Sequence, residues 1–262
     1  MLAFGVLTVT LDTAAVEAFL RRAPYLHNYE LGDLDPREAS HVTWIASEPI
    51  DAVALLYTGL AIPTVLALAD GNQAALHRLL VRNAEALPAR FYAHLSPGLE
   101  SALAPRFGAE PLGLHYKMGL DAPLAEDADA DAGAVRLTSR DADEVVAFYA
   151  ASYPTGYFEP VNLERGPYVA VRDDRGIVAI AGVHVYSPTV RVASLGNVAT
   201  RPNARGRGHA RRATAALCRL LAREVDLISL NVLADNPAAI ACYRRLGFSV
   251  RHEFNEWRMT AA

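Results

Sequence analysis

Two successive α/β domains are what this sequence predicts, and three observations predict them. The chain has 262 residues, more than one domain usually holds and enough for two separate cores. Its second half alternates strand-forming and helix-forming segments in the order β-α-β-β-β-α-β-α-β, and its first half repeats much of that order. Between the halves, from Asp121 to Gly133, runs DAPLAEDADADAG, an alanine-acid stretch with little to bury and carboxylates that repel one another, which reads as a flexible connector. The boundaries follow as 1–120 for the first domain, 121–133 for the linker and 134–262 for the second domain.

Within the second half, AVRLT reads as a short strand, SRDADEVVAFYAAS as a helix opening near Ser139, and the segment with Pro154, Gly156 and Pro160 as a loop. Three β-branched runs follow, PYVAV, IVAIAGVHVYS and VRVASLGNVAT, separated by the turn chemistry of Asp173-Asp174-Arg175-Gly176 and Ser187-Pro188. A helix is expected from about Gly206 to Arg223, with Ala210, Ala213, Leu217 and Leu221 on its apolar side. The strand LISLNVL, a helix from Asn236 to Leu246 and the strand FSVRHEFNEWRM complete the half. In the first half, helices are expected over Thr13 to Arg22 and Asn72 to Ala86. Strands are expected near His41 to Ala46, Ala52 to Tyr57 and Thr64 to Leu68, and at RFYAHL. The segment SPGLESALAPRFGAE stands where NPAAIACYRRLGFSV stands in the second half, each reading as a Pro-started helix closed by a glycine beside a phenylalanine.

Composition narrows the function. A formal net charge of -4 with 21% charged residues describes a mildly acidic globule and argues against long polyanions, so nucleic acid is not an expected partner. The two cysteines, Cys218 and Cys242, have neither CxxC spacing nor disulfide density and read as core thiols of a reducing compartment, the cytoplasm. The start MLAFGVLTVTLD lacks the cationic opening of a secretory signal, and the apolar stretch Val53 to Ala69 is broken by Gly59 and Pro63, so a membrane is not expected either.

The segment that carries chemistry is VRVASLGNVATRPNARGRGHARRATAALCRLL, a strand, an arginine- and glycine-rich turn, then a helix. The first N–H groups of a helix have no intrahelical partner and its dipole is positive there, so this arrangement collects phosphate oxygens. Gly206 and Gly208 let the backbone curl close to a ligand. Arg201, Arg205, Arg207, Arg211 and Arg212 add charge suited to several phosphates. A nucleotide-triphosphatase loop would need GxxxxGK followed by Ser or Thr, which is absent. A dinucleotide fingerprint would need glycine at Arg211, and Asp226, about 20 residues on, precedes its strand.

The turn RGRGHA resembles the Arg/Gln-x-x-Gly-x-Gly/Ala signature of the GNAT superfamily of N-acyltransferases. About thirty residues on, NPAAIACYRRLGF is similar to that family's second signature, Asn-Pro-x-x-x-x-x-Tyr-x-x-x-Gly-Phe. The resemblance spans the second half, and the first half looks like a degenerate copy, because LALADGNQAAL has none of the needed arginine and glycine spacing. It implies tandem GNAT-like domains, each a mixed, mostly antiparallel sheet flanked by helices and splayed where the cofactor enters. It also implies acetyl-CoA, or another acyl-CoA, as co-substrate without a metal, and a primary amine on a small molecule or peptide as acceptor. The backbone of Arg205, Gly206, Arg207, Gly208, His209 and Ala210 would hold the pyrophosphate. Asn197, Val198 and Ala199 would pair with the pantetheine arm, and Asn236 would contact that arm. Tyr243 would bind the cofactor and act as general acid on the departing thiolate, since a phenol of pKa about 10 is protonated at neutral pH.

The sequence departs from the family at the strand before the loop, where Leu195, Gly196 and Asn197 supply no carboxylate. His184, Glu159 or a water held by Asn197 are the candidate general bases. The loop Tyr153-Pro154-Thr155-Gly156-Tyr157-Phe158 stands where the family shapes the acceptor pocket. A non-catalytic acyl-CoA sensor or oligomerisation module is the alternative function, and a homodimer is compatible with either.

Overall fold

The computed structural model describes residues 12–124, 133–154, 156 and 158–262. The apolar N-terminal start and most of the connector between the halves lie outside those residues. The chain forms two compact units: Met1–Lys117 with Leu233–Asp235 and Arg251–Ala262, and Met118–Val232 with Asn236–Val250.

In the first unit, helices α1 (Thr13–Leu20) and α2 (Asn28–Gly32) precede strands β1 (Val42–Ala46), β2 (Val53–Tyr57) and β3 (Thr64–Ala67). Helix α3 (Gln73–Asn83), β4 (Arg90–Leu95) and β5 (Phe107–Leu120) follow. Strands β1, β2 and β3 are antiparallel neighbours, β4 lies parallel to β3 after the α3 crossover, and β11 (Phe248–Ala261) closes the row antiparallel to β4. Leu76, Leu79 and Leu80 of α3 pack with Val65, Phe91, Phe107 and Met259, all at most 7% exposed. Burying each such side chain is worth about 1.5–3 kcal/mol.

The second unit holds β6 (Ala134–Leu137), α4 (Ala142–Ser152), α5 (Asn162–Arg165), β7 (Tyr168–Asp173), β8 (Gly176–Ser187) and β9 (Val192–Thr200). Then come α6 (His209–Leu221), β10 (Leu227–Leu233) and α7 (Pro237–Arg244). Strands β6 to β9 are successive antiparallel neighbours, and β10 returns parallel to β9 after α6. Each unit is therefore a mixed, mostly antiparallel sheet with one parallel pair joined by a helix.

The entry into α4 is fixed by a reciprocal cap between Thr138 and Asp141. Its first turn is tied to β7 by Arg172, which donates to both oxygens of Glu144 at 2.9 and 2.7 Å and to Asp141 at 3.1 Å. Helix α6 packs on β7 and β8 through Ala213, Leu217 and Leu221, which are buried.

Three sequence expectations are corrected. The last strand does not stay with the second half: Glu256 lies opposite His94 and Arg258 opposite Tyr92, so residues 251–262 join the first unit, where they satisfy a β4 edge that would otherwise expose unpaired backbone groups. The segment SPGLESALAPRFGAE is not a helix. It makes a short 3-10 turn over Leu99–Ala102 after Gly98 at φ 92, and Phe107 already begins β5. Helix α6 begins at His209 rather than Gly206, because Gly206 and Gly208 sit at φ 76 and φ 80, outside helical space. Short helices α2 and α5 had no sequence expectation. Among the described residues no helix is long and apolar enough to cross a membrane.

Candidate acyl-CoA site

The loop between β9 and α6 begins at Arg201, makes a 3-10 turn over Pro202–Ala204 and ends at Gly208, the residue capping α6. Among the described residues no side chain caps the first turn of α6, so its leading N–H groups point out of the helix end at the positive pole of the dipole. Among the described residues nothing lies within 4 Å of a Cβ built on Gly206 or Gly208. Glycine is thus required there by backbone conformation, not by crowding within the protein.

The arginines of the loop have divided tasks. Arg201 donates to Asp173 at 3.1 Å and to the carbonyl of Ile177 at 2.5 Å, which pins the loop's start to the β7–β8 hairpin. Arg205 donates from Nη2 to the carbonyl of Ser152 at 3.2 Å and from Nε to that of Thr200 at 3.4 Å, so its side chain braces the loop against the end of α4. Arg207 and Arg211 are exposed beside the helix start. His209 opens α6 half-buried with Nδ1 enclosed and unbonded, and Ala210 follows it.

The strand before the loop is bulged. Ile180 lies opposite Ala199 and Gly182 opposite Gly196, so Asn197 and Val198 together face Ala181. Asn197 takes φ 54, a left-handed conformation that asparagine tolerates better than most residues. Its backbone carbonyl accepts from the Tyr149 hydroxyl at 2.6 Å. Its buried side-chain amide donates to the Tyr168 hydroxyl at 3.0 Å, and Tyr168 in turn donates to the carbonyl of Val183 at 3.2 Å. Burial pushes the Tyr149 phenol well up and that of Tyr168 to about 12, so both hydroxyls remain donors.

The bulge coincides with a divergence of strands. Strands β9 and β10 pair in parallel from Val192–Leu227 to Leu195–Leu230 and no further, although β9 continues to Thr200 and β10 to Leu233. Asn197, Val198 and Ala199 therefore lie beyond the last residue pair shared with β10. An extended chain entering there would meet backbone donors and acceptors of β9.

Asn236 caps α7, its side-chain oxygen accepting from the N–H of Ala239 at 3.1 Å, with Pro237 as the first helical residue. That bond accounts for Asn236 structurally and leaves its amide nitrogen exposed for other work. Tyr243, two turns along α7, is 8% exposed and packs edge-on against Phe248 at 6.0 Å. Burial, then the proximity of Cys242, Tyr153 and Cys218, raises its pKa far above the usual phenol value, so it holds its proton throughout the neutral range. Cys218 is pushed up to about 12 by burial, and Cys242, partly buried, is raised too, which keeps both thiols protonated and unreactive at neutral pH.

The base candidates fall in different places. Glu159 is exposed in the loop after α4, its backbone N–H bonded to Asn162 at 2.8 Å. His184 is an exposed residue of β8 whose ring lies against Gly196. Beside the bulge, Val146, Tyr149, Ala150, Tyr153, Pro154, Gly156 and Phe158 line an open cleft of about 190 Å³ with no charged side chain among them. Phe158 joins the rings of Tyr149 and Tyr168 at 4.8 and 5.7 Å. Thr155 and Tyr157 of the expected acceptor loop lie outside the described residues. Sequence reasoning missed Tyr149 and Tyr168 as partners of Asn197, since no local signal links residues so far apart. Among the described residues no group of His, Cys, Asp or Glu is set to hold a metal ion.

No curated protein matches the chain. Solved structures do. A GNAT-family acetyltransferase described as putative, from Novosphingobium aromaticivorans, is similar at TM-score 0.62 and 23% identity over 91% of this chain and 99% of its own. A Drosophila protein is similar at TM-score 0.68 and 15% identity, covering 95% and 97%. A GCN5-related N-acetyltransferase from Kribbella flavida is similar at TM-score 0.56 and 19% identity, covering 95% of each chain. These likenesses concern the fold. The family model described as acetyltransferase (GNAT) family matches residues 132–248, which contain the bulged strand, the glycine-rich loop, the capped helix and Tyr243. Residues 132–248 are a GNAT-family acetyltransferase domain.

Proposed function

We propose that the protein moves an acetyl or other short acyl group from acyl-CoA to a primary amine by direct attack in a ternary complex. The observation that carries this reading is the conjunction, within one unit, of a bulged β9 that parts from β10 at Leu195 and an α6 whose first turn is uncapped behind Gly208. The first suits an extended pantetheine arm pairing with Asn197, Val198 and Ala199. The second suits a pyrophosphate on the backbone of Arg205 to Ala210. Asn236 has an exposed amide to offer the arm, and Tyr243 has a proton to give the thiolate leaving group.

The acceptor is a small-molecule or peptide amine, and the apolar cleft beside Tyr149 and Phe158 is the surface offered to it. The first unit is read as a degenerate copy of the second, because both join one parallel strand pair through a helix and only the second carries the arginine-glycine loop. Protonated, unpaired thiols fit a cytoplasmic setting.

A second reading, a non-catalytic acyl-CoA sensor, is favoured by one observation: β9 has no carboxylate at Leu195, Gly196 or Asn197. Calorimetric titration with acetyl-CoA, then thiol-release assays over an amine panel, distinguish the two. Saturable binding that Arg205→Glu and Gly208→Glu abolish supports the site. Tyr243→Phe is expected to cut the rate by about 10²-fold or more while affinity holds. Binding without turnover on any amine supports the sensor, and no binding of acetyl-CoA or longer acyl-CoAs removes both readings.

A further inference from the structure

Within the first unit, three buried polar atoms that make no hydrogen bond among the described residues gather around one pair of aromatic rings. Nζ of Lys117, on β5, lies over the ring of Tyr29 at 5.0 Å and over that of Phe254 at 5.4 Å. The imidazole of His94, on β4, lies 4.7 Å from the Phe254 ring and 6.3 Å from the Tyr29 ring, with Nδ1 enclosed and unbonded. Glu30 follows Tyr29 on α2. Its Oε1 accepts from Nδ1 of His27 at 3.1 Å, and its Oε2 is enclosed and unbonded.

An ion buried without a partner is rare, because it has given up water and gained nothing in return. Lys117 is 1% exposed and Glu30 3%, and they carry opposite charges within electrostatic reach of one another. Closing onto each other would satisfy both, yet among the described residues no ion pair joins them, for both Nζ and Oε2 are unbonded. The fold holds them apart. Glu30 is tied to His27, and the Lys117 ammonium is held between two ring faces, which attract a cation without using its N–H groups. Burial pushes the Glu30 carboxyl up, but the bond to His27 and the charges of His27 and Lys117 outweigh it and keep that carboxyl below its usual range, hence ionised. The cluster reaches solvent on one side, where His94, His115 and Glu256 are 14%, 16% and 27% exposed.

We infer that the first unit binds a small apolar α-amino acid at this cluster, its carboxylate on Nζ of Lys117 and its ammonium on Oε2 of Glu30. A ligand with both charges is what the two ions select. A plain carboxylate would leave Glu30 unpaired and be repelled by it, and a plain amine would do the same at Lys117. Nδ1 of His94 offers the ligand a further polar contact, and the rings of Tyr29 and Phe254 offer its side chain an apolar flank. Every residue involved belongs to the first unit, so the inference stands apart from the acyltransferase reading of the second.

Calorimetric titration of the purified full chain with glycine, L-alanine and L-leucine tests this, with acetate and methylamine as single-charge controls. Wild type is expected to bind at least one of the three amino acids, and to melt higher in its presence. Lys117→Met and Glu30→Gln are each expected to weaken that binding by about 30-fold or more. Melting curves without ligand show whether each variant is folded, and Lys117→Met, which removes an unpaired buried cation, decides alone where Glu30→Gln unfolds. Binding that survives in a folded variant would put the amino acid elsewhere, the acceptor cleft of the second unit included, and overturns the inference. Acetate or methylamine binding as tightly as the amino acids overturns it as well, as does the absence of heat and of any rise in melting temperature with all three amino acids at millimolar concentration.

Discussion

Replacing Gly208 by alanine tests how the loop before α6 is built. Gly208 holds φ 80 and ψ 5 as the capping residue, and among the described residues nothing lies within 4 Å of a Cβ placed there. The substitution therefore acts through the backbone alone, and holding a non-glycine residue in left-handed space costs about 1–2 kcal/mol. That cost has two places to appear. A loop that keeps its shape carries the strain with and without ligand, so unfolding free energy falls by about 1–2 kcal/mol and acetyl-CoA affinity is unchanged. A loop that relaxes when free preserves stability but must be restored on binding, and affinity falls about 5- to 30-fold at 1.4 kcal/mol per tenfold. Denaturant unfolding and calorimetric titration of the same preparation give both parts. Their sum is expected at about 1–2 kcal/mol. A sum below about 0.5 kcal/mol refutes the conformational argument, because the left-handed penalty is then missing from both states.

Two further outcomes follow from the first unit. Lys117 is 1% exposed, its Nζ making no hydrogen bond among the described residues, between the rings of Tyr29 at 5.0 Å and Phe254 at 5.4 Å; burial lowers its pKa below 10.5 despite the nearby Glu30 carboxylate. The folded protein then binds fewer protons than the unfolded one between that lowered value and 10.5, so stability rises with pH across this window and the penalty is fullest below it. Lys117→Met is expected to melt higher than wild type near neutral pH, by a margin that shrinks toward alkaline pH, and melting curves of both proteins across that range check it. Acetyl-CoA is expected to bind with a stoichiometry near one per chain. The β3–α3 turn has Asp70 in place of arginine, and the Asn72 side chain is spent on the N–H of Asp70 at 2.9 Å and the carbonyl of Asp51 at 2.8 Å. Two equivalents in the titration would refute the reading of the first unit as a degenerate copy.

What the sequence disclosed was whatever depends on neighbours along the chain. The loop RGRGHA was legible because two glycines, their arginines and the following apolar period lie within one short segment. The error of three residues at the start of α6 came from counting glycines as helical when both take positive φ. SPGLESALAPRFGAE was misread because its apolar spacing suits a helix as well as a turn leading into a strand, and the choice was made by pairing partners that the segment itself does not contain. The paired bulges at His184 and Asn197 were illegible for a stronger reason. A bulge exists only as a mismatch between two strands, and neither VHVYS nor LGNVA alone records which residue is left over.

That mismatch ties the site together. The bulge turns the Asn197 carbonyl to the Tyr149 hydroxyl and its side chain to Tyr168, and Tyr149 also lines the apolar cleft. On the proposed function, one hydrogen-bonded connection thus links the strand that would take the pantetheine arm with the wall that would take the acceptor. A shift of Tyr149 on α4 would loosen the carbonyl of Asn197, and a shift of Asn197 would loosen the ring that packs on Phe158. The buried bond at 2.6 Å resists both motions, because breaking it strands a hydroxyl and a carbonyl away from water at a cost of about 1–3 kcal/mol. Precision in the relative placement of cofactor arm and acceptor wall is what direct attack in a ternary complex demands, since small errors in the approach of nucleophile to carbonyl cost large factors in rate. A sensor that only binds acyl-CoA would have no use for that linkage.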